Sequence, residues 1–190
     1  MNGRERIQAV LNGESVSPKV SLGDDATLVG EPGRFTLTLV HNPFGRAHQA
    51  GIDVLSQLQA DPEAGNQVLD QLVDETRAEI AAATTDGILY RLSGASPSEC
   101  SPMEYGGYFL ERDRELLQAA FDRCPTFLEI ASGEEAYIDF VSDLPAHAFI
   151  WDSVRTGASV DQLRSLRTGL LACQDPQADF AGWTPAALAR

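Results

Sequence analysis

Three apolar runs, TFLEIA (126–131), HAFIW (147–151) and GLLAC (169–173), decide the fold. Each ends in polar or small residues: Ser132-Gly133, Asp152-Ser153 and Gln174-Asp175. Segments with helical spacing separate them. Tyr137, Phe140, Val141 and Leu144 mark one helix. Ser159-x-x-Gln162 is a capping box ahead of Val160, Leu163 and Leu166, and Gly169 closes that helix. Strand, turn, helix, strand is the grammar of a parallel α/β sheet. In such folds the residues just past the carboxyl ends of the strands gather on one face, and chemistry sits there.

The same alternation extends upstream. FTLTLV (35–40) is β-branched and apolar, a strand that ends at the turn signal His41-Asn42-Pro43. Asp61-Pro62-Glu63 starts a helix, with Asp as N-cap and Pro at the first helical position. That helix runs to about Ala83, with Val68, Leu69, Leu72, Val73, Thr76 and Ile80 inward. DGILY (86–90) is the next strand and leads into Arg91. A Ser-, Pro- and Gly-rich loop is expected over 92–107, then a helix over 111–123 with Leu116, Leu117, Ala120 and Phe121 inward. At the start, residues 3–12 read as an amphipathic helix with Ile7, Val10 and Leu11 on one face. Residues 13–33 read as connection with one weak strand, and Thr184-Pro185 opens a last helical turn. The expectation is a single α/β domain over 1–190.

Composition excludes several functions. A net charge of −14 disfavours nucleic acid and anionic membrane as partners. No apolar run approaches the roughly 18 residues that cross a bilayer. The amino terminus lacks the apolar core of a signal peptide. Three cysteines, Cys100, Cys124 and Cys173, without C-x-x-C spacing, argue against a disulfide framework or a zinc ribbon. These features point to a cytoplasmic protein.

In order and spacing the segments resemble the uroporphyrinogen decarboxylase superfamily. The opening NGRERIQAVLNGESVSPKV is similar to that family's first helix and polar turn. GRFTLTL, DPEAGNQVLDQLVDETRAEI and TDGILYRLSGAS are similar to its next strand, helix and strand. TFLEIASGEEAYIDFVSDLPAHAFIWDSVRTGASVDQLRSL is similar to its carboxyl-terminal half, including Trp151-Asp152. The resemblance implies a distorted (β/α)₈ barrel. It also implies one of two activities: decarboxylation of the acetate side chains of uroporphyrinogen, or methyl transfer with zinc and a corrinoid.

The chain departs from that pattern. A full barrel takes about 250 residues, and only five strands are evident here, so the expected fold is an incomplete TIM-like barrel. Early strands and an Arg-containing loop are missing between about Lys19 and Gly33, and the final strand and helix are missing after Asp175. The His-x-Cys zinc pair of the methyltransferases is replaced by Glu129 and Ala131, so no metal and no cofactor are expected. Val40 stands where decarboxylases carry a tyrosine. Such an open half-barrel would expose strand edges, so a homodimer is expected.

By the strand-end rule the active face holds His41, Asn42, Arg91, Ser93, Ser132, Asp152 and Asp175. His41 has the chemistry of an acid or base near neutral pH; its alternative role is a turn residue before Pro43. Asp152 follows Trp151 at a strand end, as a catalytic carboxylate or as a cap for the next turn. Arg91 can clamp a carboxylate or pair with a neighbouring acid. Asn42, Ser93, Ser132 and Trp151 complete a candidate substrate-binding set. Glu129 lies inside an apolar run and needs a partner there. Only Arg91 is a clear cation on this face, few for a substrate as rich in carboxylates as uroporphyrinogen. Two functions remain open: a degenerate decarboxylase-like site for a carboxylate or tetrapyrrole, and a non-catalytic accessory subunit of tetrapyrrole or corrinoid metabolism.

Overall fold

The computed structural model describes residues 3–12, 14 and 35–174. The weak strand expected within 13–33, Asp175, and the helical turn expected after Thr184 lie outside the described residues. Five strands form one sheet: β1 (Leu37–His41), β2 (Gly87–Leu92), β3 (Thr126–Ile130), β4 (Ala148–Asp152) and β5 (Leu170–Gln174). They lie side by side in chain order, and every pair is parallel. Winding in one direction with a helical connection after each strand is the plan of a β/α barrel. The described residues carry five such strands, an incomplete TIM-like barrel.

All five expected strands are present, each shifted by no more than two residues. β2 runs further than DGILY and takes Arg91 and Leu92 into the ladder. The alternation of side chains along a strand assigns the two faces. Val40, Ile88, Tyr90, Leu92, Leu128, Phe149, Trp151 and Leu171 face the helices in the larger core. Leu37, Leu89, Phe127, Ala148, Ile150 and Ala172 form a smaller cluster on the opposite, inner face, joined by Ile7 of α1 (Gly3–Leu11).

The connections hold more helix than the spacing suggests. After β1 come α2 (Pro43–Gln49) and α3 (Val54–Ala60), followed by the expected long helix α4 (Pro62–Ala82). Asn42-Pro43 is therefore a helix start rather than only a turn: Asn42 Oδ1 accepts from the Gly45 N–H at 3.0 Å. The second half of the expected loop is also helical. α5 (Pro102–Glu104), capped by a reciprocal Ser101–Glu104 box, passes through a π-helical turn (Tyr105–Phe109) into α6 (Leu110–Phe121). After Gly133 only one helical turn forms, α7 (Ile138–Val141), which leaves Phe140 exposed. α8 (Ser153–Thr156) and α9 (Val160–Leu166) complete the layer. Leu163 is buried as expected, whereas Leu166 is exposed because the short α9 ends beside it.

Candidate functional site

Register places one polar row across the inner face. His41 pairs laterally with Arg91, and Arg91 with Glu129, at the carboxyl ends of β1, β2 and β3. Leu39, Leu89 and Phe127 sit one inward step below them, so the row is the polar rim of an apolar floor. Arg91 Nε donates to Glu129 Oε2 at 2.6 Å. Glu129 is buried and Arg91 is partly exposed, so the pair is anchored from the protein side. The Arg91 terminal nitrogens, Nη1 and Nη2, have no acceptor among the described residues. The guanidinium therefore presents its free edge outward, the edge that grips an oxyanion in bidentate fashion.

His41 is half-buried, and its Nε2 lies 2.8 Å from Gln49 Nε2. Burial, and then the Arg91 charge beside it, hold its pKa below the usual histidine value. Its imidazole is thus neutral at neutral pH and can accept or donate one hydrogen bond.

The other expected residues take up different positions. Asp152 lies on the same face by parity, two residues beyond Ile150. Its Oδ1 accepts from the N–H groups of Val154 and Arg155, both at 2.9 Å, and so caps α8. Trp151 points the opposite way, buried against the helices, and its indole donates to the Ala158 carbonyl at 2.9 Å. Ser132 is buried; its hydroxyl accepts from Ala95 N–H and lies 3.4 Å from the Leu92 carbonyl. Asn42 is fully buried and ties together the ends of β1 and β2: Oδ1 also accepts from Ser93 N–H, and Nδ2 donates to the Ser93 carbonyl. Ser93 thus contributes its backbone to this tie, with its hydroxyl close to Gly45.

A fully buried carboxylate, absent from the sequence expectations, lies behind the Asn42 tie. Asp113 of α6 accepts hydrogen bonds from Tyr90 Oη (2.8 Å), Tyr105 Oη (3.0 Å) and Asn42 Nδ2 (3.2 Å). Burial pushes its pKa up to about 6, against the lowering pull of these three donors. The π-helical turn supplies Tyr105, so the widened backbone there is what aims this phenol at Asp113. Asp113 sits at the i−3 and i−4 position to Leu116 and Leu117, on the helix's own buried stripe, and that was its one sequence signal.

The zinc of the resembled methyltransferases does not suit these residues. Glu129 is already paired with a guanidinium, and Ala131 offers no donor. Among the described residues no group of three or more His, Cys, Asp or Glu could hold a metal ion. No helix among them is long and apolar enough to cross a membrane.

No family model matches the chain, and no curated protein does. Among solved structures it is similar to a methyltransferase from Methanosarcina mazei, with a TM-score of 0.61 and 14% sequence identity. The match covers 76% of this chain and 44% of that one, so the chain corresponds to less than half of that protein. At this identity the likeness establishes the fold: a parallel β/α arrangement shared with a methyltransferase.

Proposed function

We propose that this chain is a uroporphyrinogen decarboxylase-like binding protein whose strand ends hold a small carboxylate-bearing molecule, a tetrapyrrole among the candidates, and whose inherited catalysis is lost. The observation that carries this reading is Arg91: one edge fixed by Glu129, the other free, at the rim of the inner face. His41 and Asp152 are the only other titratable side chains of the proposed catalytic set at these strand ends. His41 would hydrogen-bond the ligand. Asp152 would lie at the margin, with one carboxylate oxygen already capping α8.

The Arg91–Glu129 pair also favours binding over turnover, the role of an accessory subunit in tetrapyrrole or corrinoid metabolism. It places a neutral ion pair where the resemblance calls for a metal ligand. In this reading the whole chain acts as one domain, in the cytoplasm, as a homodimer.

Titration with uroporphyrin, followed by its Soret absorbance, tests the site. Wild-type protein should bind, and Arg91→Met should weaken binding about tenfold or more, the cost of one charge-assisted contact. Uroporphyrinogen should not be consumed. Turnover would restore the decarboxylase reading, and failure to bind tetrapyrroles or simple di- and tricarboxylates would end the binding one.

A further inference from the structure

A second cationic site lies at the opposite pole, near the amino-terminal ends of β4 and β5. A surface cavity of about 470 Å³ opens there between the loop after α7 and the end of α9. Arg164 and Arg167 line it, with Ser142, Asp143 and Phe121. The Arg167 guanidinium lies 4.8 Å over the Phe149 ring. Its Nη1 donates to the Ser142 carbonyl (3.1 Å), with the Leu144 carbonyl 3.5 Å away, and Nη2 donates to the Ala146 carbonyl (2.9 Å). Arg164 holds only the Gly169 carbonyl, at 3.3 Å, through Nη1.

Both cations lack something. Arg164 Nη2 and Arg167 Nε are buried donors with no acceptor among the described residues. A buried polar group left unpaired costs about 1–3 kcal/mol, and more when charged. Neither arginine bridges a carboxylate among the described residues. Asp143, the acid on the cavity wall, is already taken by Arg114, which reaches both its oxygens at 3.1 Å. Burial lowers the Arg167 pKa to about 10, which still leaves it charged at neutral pH. Among the lining residues, two guanidiniums therefore face a single carboxylate, Asp143, which Arg114 already engages.

We propose that this cavity binds a phosphate group, free or as the terminal group of a small phosphomonoester, between Arg164 and Arg167. A tetrahedral oxyanion seated in the cavity offers acceptors to the two guanidiniums that line it. The site is independent of Arg91 and of any ligand at the strand ends.

Calorimetric titration with inorganic phosphate and with glycerol phosphate, at constant ionic strength, tests it. Wild-type protein should bind saturably, and Arg164→Met should weaken binding about tenfold or more. Because Arg164 makes a single long bond to one carbonyl, this variant should keep its circular dichroism and melting temperature. Arg77→Met, which removes an exposed arginine of α4, should bind phosphate as the wild type does. Tighter binding of the ester than of inorganic phosphate identifies a metabolite as the source; the reverse identifies the free ion. Absence of saturable binding to the wild type, equal binding by Arg164→Met, or loss of binding in Arg77→Met would each overturn the proposal.

Discussion

Asp113 shows how a single side chain joins two layers. It takes hydrogen bonds from a strand tyrosine, a π-turn tyrosine and the asparagine that begins α2. Its pH effect has a definite sign. The folded pKa, about 6, is raised above the ordinary 3.8. The folded state therefore holds the proton more tightly, so this group's stabilising contribution is present in full below about pH 4 and is lost as pH rises through about 6. Urea unfolding at several pH values should show wild-type stability gaining on Asp113→Asn between pH 7 and pH 4.5. A constant difference across that range would mean that the carboxylate does not titrate in the native state. The signal for Asp113 was present in the sequence as an acid on an apolar helical stripe. Its partners were not, because Tyr90, Tyr105 and Asn42 come from three separate elements. Arg91 and Glu129 were individually visible; only the register of β2 against β3 made them a pair.

Among the elements, the strands were legible because buried parallel strands read as short apolar runs with polar ends. The connections were harder to read. α2 carries Asn-Pro at its start, the same signal as the Asp-Pro of α4, yet α2 and α3 are each only seven residues long, too short for their apolar spacing to stand out. The helical path through α5 and the π turn is masked by Pro102, Gly106 and Gly107, which read as loop. Packing between elements supplies a sharper test. A Cβ on Gly65 of α4 would lie 2.6 Å from the Leu58 Cα and 2.7 Å from its backbone nitrogen. Alanine in a helix interior is otherwise favoured over glycine by up to about 1 kcal/mol. Contact with backbone rather than a movable side chain should reverse that preference. Gly65→Ala should lower stability by about 2 kcal/mol, as overpacked cores do, measurable as a fall in the urea midpoint. A midpoint at or above wild type would show that α3 yields freely.

At the scale of the whole molecule, β1 and β5 are the two outer strands of the five-stranded sheet, and the inner face carries Leu39 in an exposed position. Light scattering coupled to size exclusion should therefore give twice the chain mass at micromolar concentration; a stable monomer would remove the homodimer from the proposed function. The arrangement of the sheet was legible from βα alternation, but its inner polar row depended on register, which no spacing in the chain specifies. Strand order has a further consequence, for how the molecule is made. Among the described residues each strand after β1 pairs with the one synthesised just before it, and none inserts between two earlier ones. The sheet can therefore grow from its first edge as the chain emerges from the ribosome, each βα unit docking on a finished neighbour, with loop closures that stay short throughout.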